Sequence, residues 1–245
     1  MSKRPLYDPE SLAKRAAGRV GQLPRRLAVE PEILDGARLL EVGSGNGECT
    51  AAAIEILNAD AYGIDPFPRW VGGPYASLGE QGRLLKIDAS EPELRALEPF
   101  DFVHSYTVFE HIERPREALE NVFHVLKPGG RVFLSFNLHL GASAGHLADY
   151  LPDYPWIHLT HTDETARELM KERFGQDRGI SWVNKLTDYD YKRICNEIGF
   201  KLLYTGYTFR YIEDAFYEKH VDKLGQYSKT DLSKNFMRMR LERPS

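Results

Sequence analysis

The chain has almost no cysteine. Its 245 residues hold two, Cys49 and Cys195, in no metal-ligand spacing, and that usage points to a reduced compartment. A signal-peptide pattern and any apolar run long enough to cross a bilayer are also lacking, which points away from secretion and membrane insertion and toward a cytoplasmic protein. Neither sign of charge dominates. The 32 Lys and Arg stand against 36 Asp and Glu, a net charge of -4, so nothing overall favours a nucleic-acid partner. No internal repeat and no low-complexity tract is present. The one local excess is basic: Lys3, Arg4, Lys14, Arg15, Arg19, Arg25 and Arg26 lie near the N-terminus. Such a run is either a solvated face or an arm packed over the site or a neighbour.

What is present is alternation. "RLLEVG" (Arg38 to Gly43), "DAYGID" (Asp60 to Asp65), "RLLKID" (Arg83 to Asp88), "FDFVHSY" (Phe100 to Tyr106) and "RVFLSFN" (Arg131 to Asn137) read as five strands. Helical patterns fall between them. "ECTAAAIEIL" is rich in Ala, and "REALENVFHVL" sets Ala118, Leu119, Val122, Phe123 and Leu126 at helical spacing before "KPGG" stops it. This order predicts a mostly parallel sheet with helices on both faces. The pattern breaks from Leu138 to about residue 186, where histidines, aromatics and prolines occur without a clear strand. "TDYDYKRICNEIGF" then restores a helix, and "KLLYTGYTF" and "FMRMRLE" read as two last strands around a further helix. The expected organisation is a helical arm over 1–37 and one domain over 38–245, with a lid inserted at about 138–186.

Gly43, Gly45 and Gly47 join the first strand to the first helix, and Glu41 precedes them. Glycines in such a turn let a ligand approach the backbone closely, and sheets of this kind bind ligands at the carboxyl ends of their strands. The dinucleotide fingerprint G-x-G-x-x-G is not met, because Glu48 stands where its third glycine would be. An acid beside the loop repels phosphate and attracts an ammonium or sulfonium group.

"EVGSGNG" resembles motif I of the class I S-adenosylmethionine (SAM)-dependent methyltransferases. Asp65 at the end of the second strand, "IDAS" at the end of the third, and the stretch from "FDFVHSYTVFEHI" to "LKPGGRVFLSF" resemble the family in the same order. The resemblance is strong over Arg38 to Asn137. It implies a Rossmann-like, seven-stranded, doubly wound α/β sheet, mostly parallel, with an antiparallel last strand and the lid insertion after the fifth. It also implies SAM as methyl donor, leaving S-adenosylhomocysteine. Gly43, Gly45 and Gly47 would meet its methionine part, with Glu41 near its amino group. Asp65 would take the ribose hydroxyls, Asp88 and the Ala89 amide would read the adenine, and Ser105 and Tyr106 would line the cofactor.

The acceptor is less constrained. Neither the Asn/Asp-Pro-Pro-aromatic run of the adenine amino-methylating relatives nor a Pro-Cys nucleophile is present, and a small-molecule acceptor is expected. A hydroxyl acceptor needs a base, and histidine suits that at neutral pH. The lid holds His139, His146, His158 and His161. His158 and His146 rank first, then His139, with His111 outside the lid as a further candidate catalytic residue. Some family members hold a divalent metal beside Glu110 and His111 with a second acid one turn earlier. That place is Thr107 here, so no metal is assigned. O-methylation of a sugar, a natural product or a cell-surface glycan precursor is the first expectation. N- or C-methylation of a small metabolite and a non-catalytic SAM-binding subunit stand as alternatives. Oligomeric state is not readable.

Overall fold

The computed structural model describes residues 8–245, so Lys3 and Arg4 of the basic arm lie outside the described residues. The rest of the arm is helical. α1 (Pro9–Val20) starts where the Asp8 side chain accepts from the amides of Glu10 and Ser11, with proline at the first helical position. α2 (Leu23–Leu27) ends at Ala28 in the left-handed conformation. Ala16, Val20, Leu23 and Leu27 are buried, so this arm is a packed layer and only one of its faces is solvated.

The domain then runs β1 (Arg38–Val42), α3 (Glu48–Leu57), β2 (Asp60–Ile64), α4 (Ala76–Glu80), β3 (Leu84–Leu85), β4 (Phe100–Tyr106), α5 (Pro115–Val125) and β5 (Leu126–Asn137). It continues through α6 (Ile157–Thr160), α7 (Asp163–Phe174), α8 (Asp188–Ile198), β6 (Lys201–Phe209), α9 (Asp214–Lys219), α10 (Val221–Leu224), α11 (Lys229–Ser233) and β7 (Lys234–Glu242). The sheet has the expected seven strands, in the order β3-β2-β1-β4-β5-β7-β6. β7 is antiparallel to both its neighbours, and the pairs among β1 to β5 are parallel. The order reverses between β1 and β4, and the crevice of such a sheet opens at that switch, above the carboxyl ends.

Side chains alternate across the sheet. Leu39, Phe102, Tyr106 and Phe133 pack with α1, α2 and α3 on one face, while Leu40, Val42, Val103, Leu134 and Phe136 pack with α5 and α8 on the other. Two strands depart from the sequence pattern. β3 is only two residues long, because the Ile87 amide turns back onto the Leu85 carbonyl at 3.0 Å and takes Lys86 to Asp88 out of the ladder. β5 begins earlier than expected. Leu126 pairs with Phe100, the register then jumps to Arg131 with Phe102, and "KPGG" is drawn in because Gly129 and Gly130 bond to Arg243 beyond β7.

Residues 138–186 contain α6 and α7 and no strand. They have a small core of their own, made of Leu147, Tyr150, Leu151, Ile157, Ala166 and Met170. They are also joined to a second insertion, the three short helices between β6 and β7. Trp156 is buried with Ile212, Leu224 and Leu232, and its Nε1 donates to the carbonyls of Leu140 at 3.0 Å and Leu232 at 3.1 Å. Among the described residues no helix is long and apolar enough to cross a membrane.

Replacing Trp156 by Phe keeps most of the apolar volume and leaves two buried carbonyls without their donor. It should lower stability by ~1–3 kcal/mol. Urea denaturation checks this, and an unchanged midpoint would mean that Trp156 does not join the two insertions.

Candidate functional site

The glycine loop lies at the carboxyl end of β1. Gly43, Gly45 and Gly47 all have left-handed φ, at +80°, +56° and +98°. Gly43 and Ser44 donate to the Ile64 carbonyl at 2.8 and 3.0 Å, which folds the loop against β2. A Cβ on Gly43 would run into the Val108 side chain, and one on Gly47 would sit 2.6 Å from Leu84. Nothing lies within 4 Å of the corresponding position at Gly45. The outer glycines let the loop pack, and the middle one leaves bare backbone facing open space.

Asp65 follows β2 and holds that open backbone in place. Its two carboxylate oxygens accept from the Gly45 amide at 3.0 Å and the Phe67 amide at 2.8 Å. Asp88 follows β3 and accepts from the Ser90 amide at 2.8 Å. The turn at Ala89, itself buried, is clamped by Asn121. The Asn121 amide donates to the carbonyls of Ala89 and Glu91, each at 2.9 Å, and its oxygen accepts from Arg95 at 2.6 Å. Sequence reasoning missed Asn121, although a signal existed: it is a polar residue on the buried stripe of α5, beside Ala118, Val122 and Val125.

Glu41 is 5% exposed, and its carboxylate accepts from the Thr50 hydroxyl at 2.6 Å. Burial pushes its pKa up to about 7, against the lowering effect of the Thr50 and Cys49 side chains and the Arg19 charge. His104 is opposite Glu41 in the β1–β4 register. It is fully buried, both ring nitrogens lack a hydrogen-bond partner among the described residues, and desolvation lowers its pKa to about 3, so it is neutral. Tyr106 serves the arm: its hydroxyl donates to the Arg19 carbonyl at 3.1 Å, and Arg19 and Arg26 lie 5.0 and 5.1 Å from its ring. The Ser105 hydroxyl donates to the Val42 carbonyl at 2.8 Å. The side chains of both residues are therefore engaged inside the protein at the rim of the crevice.

The histidines gather at the neighbouring edge, past β4 and β5, in two pairs. His111 and His146 have ring centroids 4.7 Å apart, and His139 and His158 are 5.7 Å apart. His161 lies elsewhere, against Tyr154 and His220. His158 Nε2 donates to the His139 carbonyl at 2.7 Å, which places the lone pair on Nδ1. That nitrogen is buried and faces Gly145. Burial pushes both His146 and His158 down to about 4 and lowers His139 as well. A proton placed on any of the three would have to be carried in a poorly solvated position. His111 is exposed, and its Nδ1 lies 2.9 Å from the Trp182 carbonyl. A carbonyl can only accept, so Nδ1 carries the hydrogen and Nε2 keeps its lone pair. Glu110 is 1% exposed, with Oε1 accepting from the Asn137 amide and side chain and Oε2 unpartnered. Asn184 secures this turn through the carbonyls of Phe109 and Ile112. Glu110, His111 and His146 present donor atoms within 4.8 Å of one another.

The chain is similar to known proteins. The methyltransferase-domain family matches residues 12–205. An uncharacterized methyltransferase of Mycobacterium bovis is 33% identical over 146 residues, covering 58% of this chain and 56% of that protein. The chain thus spans a little over half the length of that curated relative. The ubiquinone biosynthesis O-methyltransferase of Roseobacter denitrificans is 35% identical over 192 residues, covering 69% of this chain and 75% of that one. A solved phosphoethanolamine N-methyltransferase of Haemonchus contortus, in complex with S-adenosyl-L-methionine, has a TM-score of 0.56 at 16% identity, covering 93% of this chain and 53% of that one, which bears on the fold alone.

Glu41 sets a pH dependence for any ligand that brings an ammonium group to it. With its pKa raised to about 7, the carboxyl is neutral below that pH and charged above it. Affinity for S-adenosylhomocysteine should rise with pH up to about 7 and then level off, and Glu41→Gln should flatten the profile. Calorimetric titration across pH checks it, and a flat wild-type profile would separate Glu41 from the ammonium.

Proposed function

The chain belongs to the class I SAM-dependent methyltransferase family, and from that premise we propose that it methylates a hydroxyl of a small, ring-bearing acceptor. The crevice fits the donor. Gly45 offers bare backbone with open space over it, the buried Glu41 has no ion-pair partner within 4.0 Å among the described residues, and Asp65 and Asp88 stand at the ends of adjacent strands. In this reading Asp65 takes the ribose hydroxyls on its remaining lone pairs, and Asp88 with the Ala89 amide takes the adenine edge. Gly43, Gly45 and Gly47 border the methionyl part, and the backbone of Ser105 and Tyr106 borders the rim.

SAM supplies an electrophilic methyl group on a sulfonium. The protein's share is alignment and, for a hydroxyl, a place for the proton. The observation that carries the hydroxyl reading is the His111 tautomer. Its Nδ1–H is spent on the Trp182 carbonyl, so the Nε2 lone pair is available at the exposed edge. There it would take the acceptor's proton as the oxygen is methylated, the electron pair of the breaking carbon–sulfur bond remaining on the donor's sulfur. His111 therefore stands first among the histidines, ahead of His146, His139 and His158, whose rings are more deeply buried. Trp182 is 56% exposed beside it and offers a flat apolar face to a sugar or aromatic ring. The Roseobacter relative, an O-methyltransferase by name, supports the same atom class.

A divalent cation is the second reading. The lid's His146 approaches Glu110 to 3.8 Å, and buried Glu110 Oε2 and His146 Nε2 have no hydrogen-bond partner among the described residues. This set replaces the acid that Thr107 does not provide. A cation there would orient acceptor oxygens.

Two measurements test the proposal. Asp65→Ala should weaken SAM binding by ~1.5–3 kcal/mol, the worth of charge-assisted hydrogen bonds, with the sheet intact by thermal melting; unchanged affinity would remove the ribose assignment. His111→Ala should lower kcat by roughly 10²–10⁴-fold with SAM affinity unchanged. If kcat survives that change, a nitrogen or carbon acceptor replaces the hydroxyl. Loss of activity on chelation, restored by added divalent metal, would favour the cation reading instead.

A further inference from the structure

The sheet face that packs against α1 and α2 is not apolar throughout. Leu39, Phe102, Tyr106 and Phe133 make its core, and past Phe133 the residues next across the ladder are polar. Phe133 is opposite Arg240 of β7, which is opposite Tyr204 of β6; Ser135 is opposite Arg238, which is opposite Gly206. Side chains opposite one another share a face, so Arg238, Arg240 and Tyr204 stand together on this one. Tyr204 is 44% exposed, and its hydroxyl lies over Gly206, where a Cβ would collide with it. The ring thus carries its hydroxyl to the row of Arg238.

The cations there have no acid to hold. Arg240 Nη1 donates to the Arg26 carbonyl at 3.3 Å, and its Nε is buried without a hydrogen-bond partner among the described residues. Arg26 lies 5.0 Å from the ring of Phe133, the residue opposite Arg240, and donates to the neutral Gln22 side chain at 2.7 Å. Arg238 has the Phe236 ring 5.9 Å away and, among the described residues, no side-chain hydrogen bond. No carboxylate among the described residues lies within 4.0 Å of Arg26, Arg238 or Arg240, and the acid of β7, Glu242, is taken by Arg131 at 3.1 Å and Lys201 at 3.7 Å. Arg19 is engaged separately, with Nη2 donating to the Thr107 hydroxyl at 3.2 Å and the guanidinium over Tyr106. Like charges gathered on one face repel, and an anion laid among them removes that cost.

We propose that Arg26, Arg238, Arg240 and the Tyr204 hydroxyl form an oxyanion site on this open face, and that it receives a phosphate or carboxylate carried by the methyl acceptor. The identity of the occupant rests on the methyl-transfer reading above. Guanidinium forks match either oxyanion with paired bonds, and the phenol adds a further donor. Tyr106, Ser135 and Arg238 lie in one row across β4, β5 and β7, so Arg238 is two strand spacings, about 10 Å, from the rim at Tyr106. An acceptor seated past the ends of β4 and β5 reaches that distance with a charged substituent.

Calorimetric titration with pyrophosphate, on protein saturated with S-adenosylhomocysteine, tests the site. Wild-type protein should bind the probe. Arg238→Gln should weaken it roughly 10–100-fold and Tyr204→Phe roughly two- to ten-fold, with S-adenosylhomocysteine affinity held within about two-fold. Arg193→Gln removes the same charge from α8, on the opposite face of the sheet, and should leave pyrophosphate binding within about two-fold. No wild-type binding, or equal losses in Arg238→Gln and Arg193→Gln, overturns the site. A labelled-SAM screen then compares sugars with and without a phosphate and phenols with and without a carboxylate. Methylation should favour the charged member of one series, which names the oxyanion, and Arg238→Gln should raise its KM with kcat unchanged. Equal use of charged and neutral members overturns the assignment of the occupant. If pyrophosphate binds and no acceptor of either kind is methylated, the methyl-transfer reading fails and the oxyanion site stands.

Discussion

A carboxyl group is buried near the carboxyl end of β1, and much of the crevice is arranged around that fact. Glu41 has given up most of its water, and the Thr50 hydroxyl, the Cys49 thiol and the more distant Arg19 charge replace only part of it. A buried acid left in that state keeps its proton near neutral pH until a cation arrives. The surroundings are consistent with a space reserved for one. Gly45 leaves the loop open, His104 across the ladder stays neutral, and Asp65 is occupied with the loop backbone. α1 then closes this side, tied to the β4 end by Tyr106 and Thr107.

Burial acts with the opposite sign on the histidines of the insertion. What raises a carboxyl lowers an imidazole, so His146 and His158 are kept neutral and poorly able to hold a proton. His111 stands on the exposed turn after β4, with its Nδ1 hydrogen directed to the Trp182 carbonyl. The glycine-loop crevice and the histidine edge both lie past the end of β4: Thr107 faces the arm, while Glu110 and His111 face the insertion. That insertion is held by the second one through Trp156 and by Asn184 at the turn, so the histidine edge is assembled from segments far apart in the chain.

Much of this was legible in the residues. Apolar runs marked the strands, Ala richness marked α3, helical spacing marked α5, and glycines at alternate positions marked a strand-to-helix turn open to a ligand. The acids after β2 and β3 were readable because each ended an apolar run. The short β3 was not, since "RLLKID" has strand composition and only the Ile87 turn removes its second half. Nor was the early start of β5, because "KPGG" is a helix stop by composition and joins the sheet only through Arg243, more than a hundred positions later.

The sequence by itself determined the layer order, the place of the glycine loop and which acids stand at strand ends, because these follow from periodicity and backbone preference within a few residues. The tertiary structure decided which side chains share a site. Arg19 reaches Thr107 across 88 positions, and Trp182 orients His111 across 71. Such contacts depend on how distant segments close on one another. Burial is set by the same closure, and it raises the Glu41 carboxyl and lowers the buried His146 and His158 imidazoles.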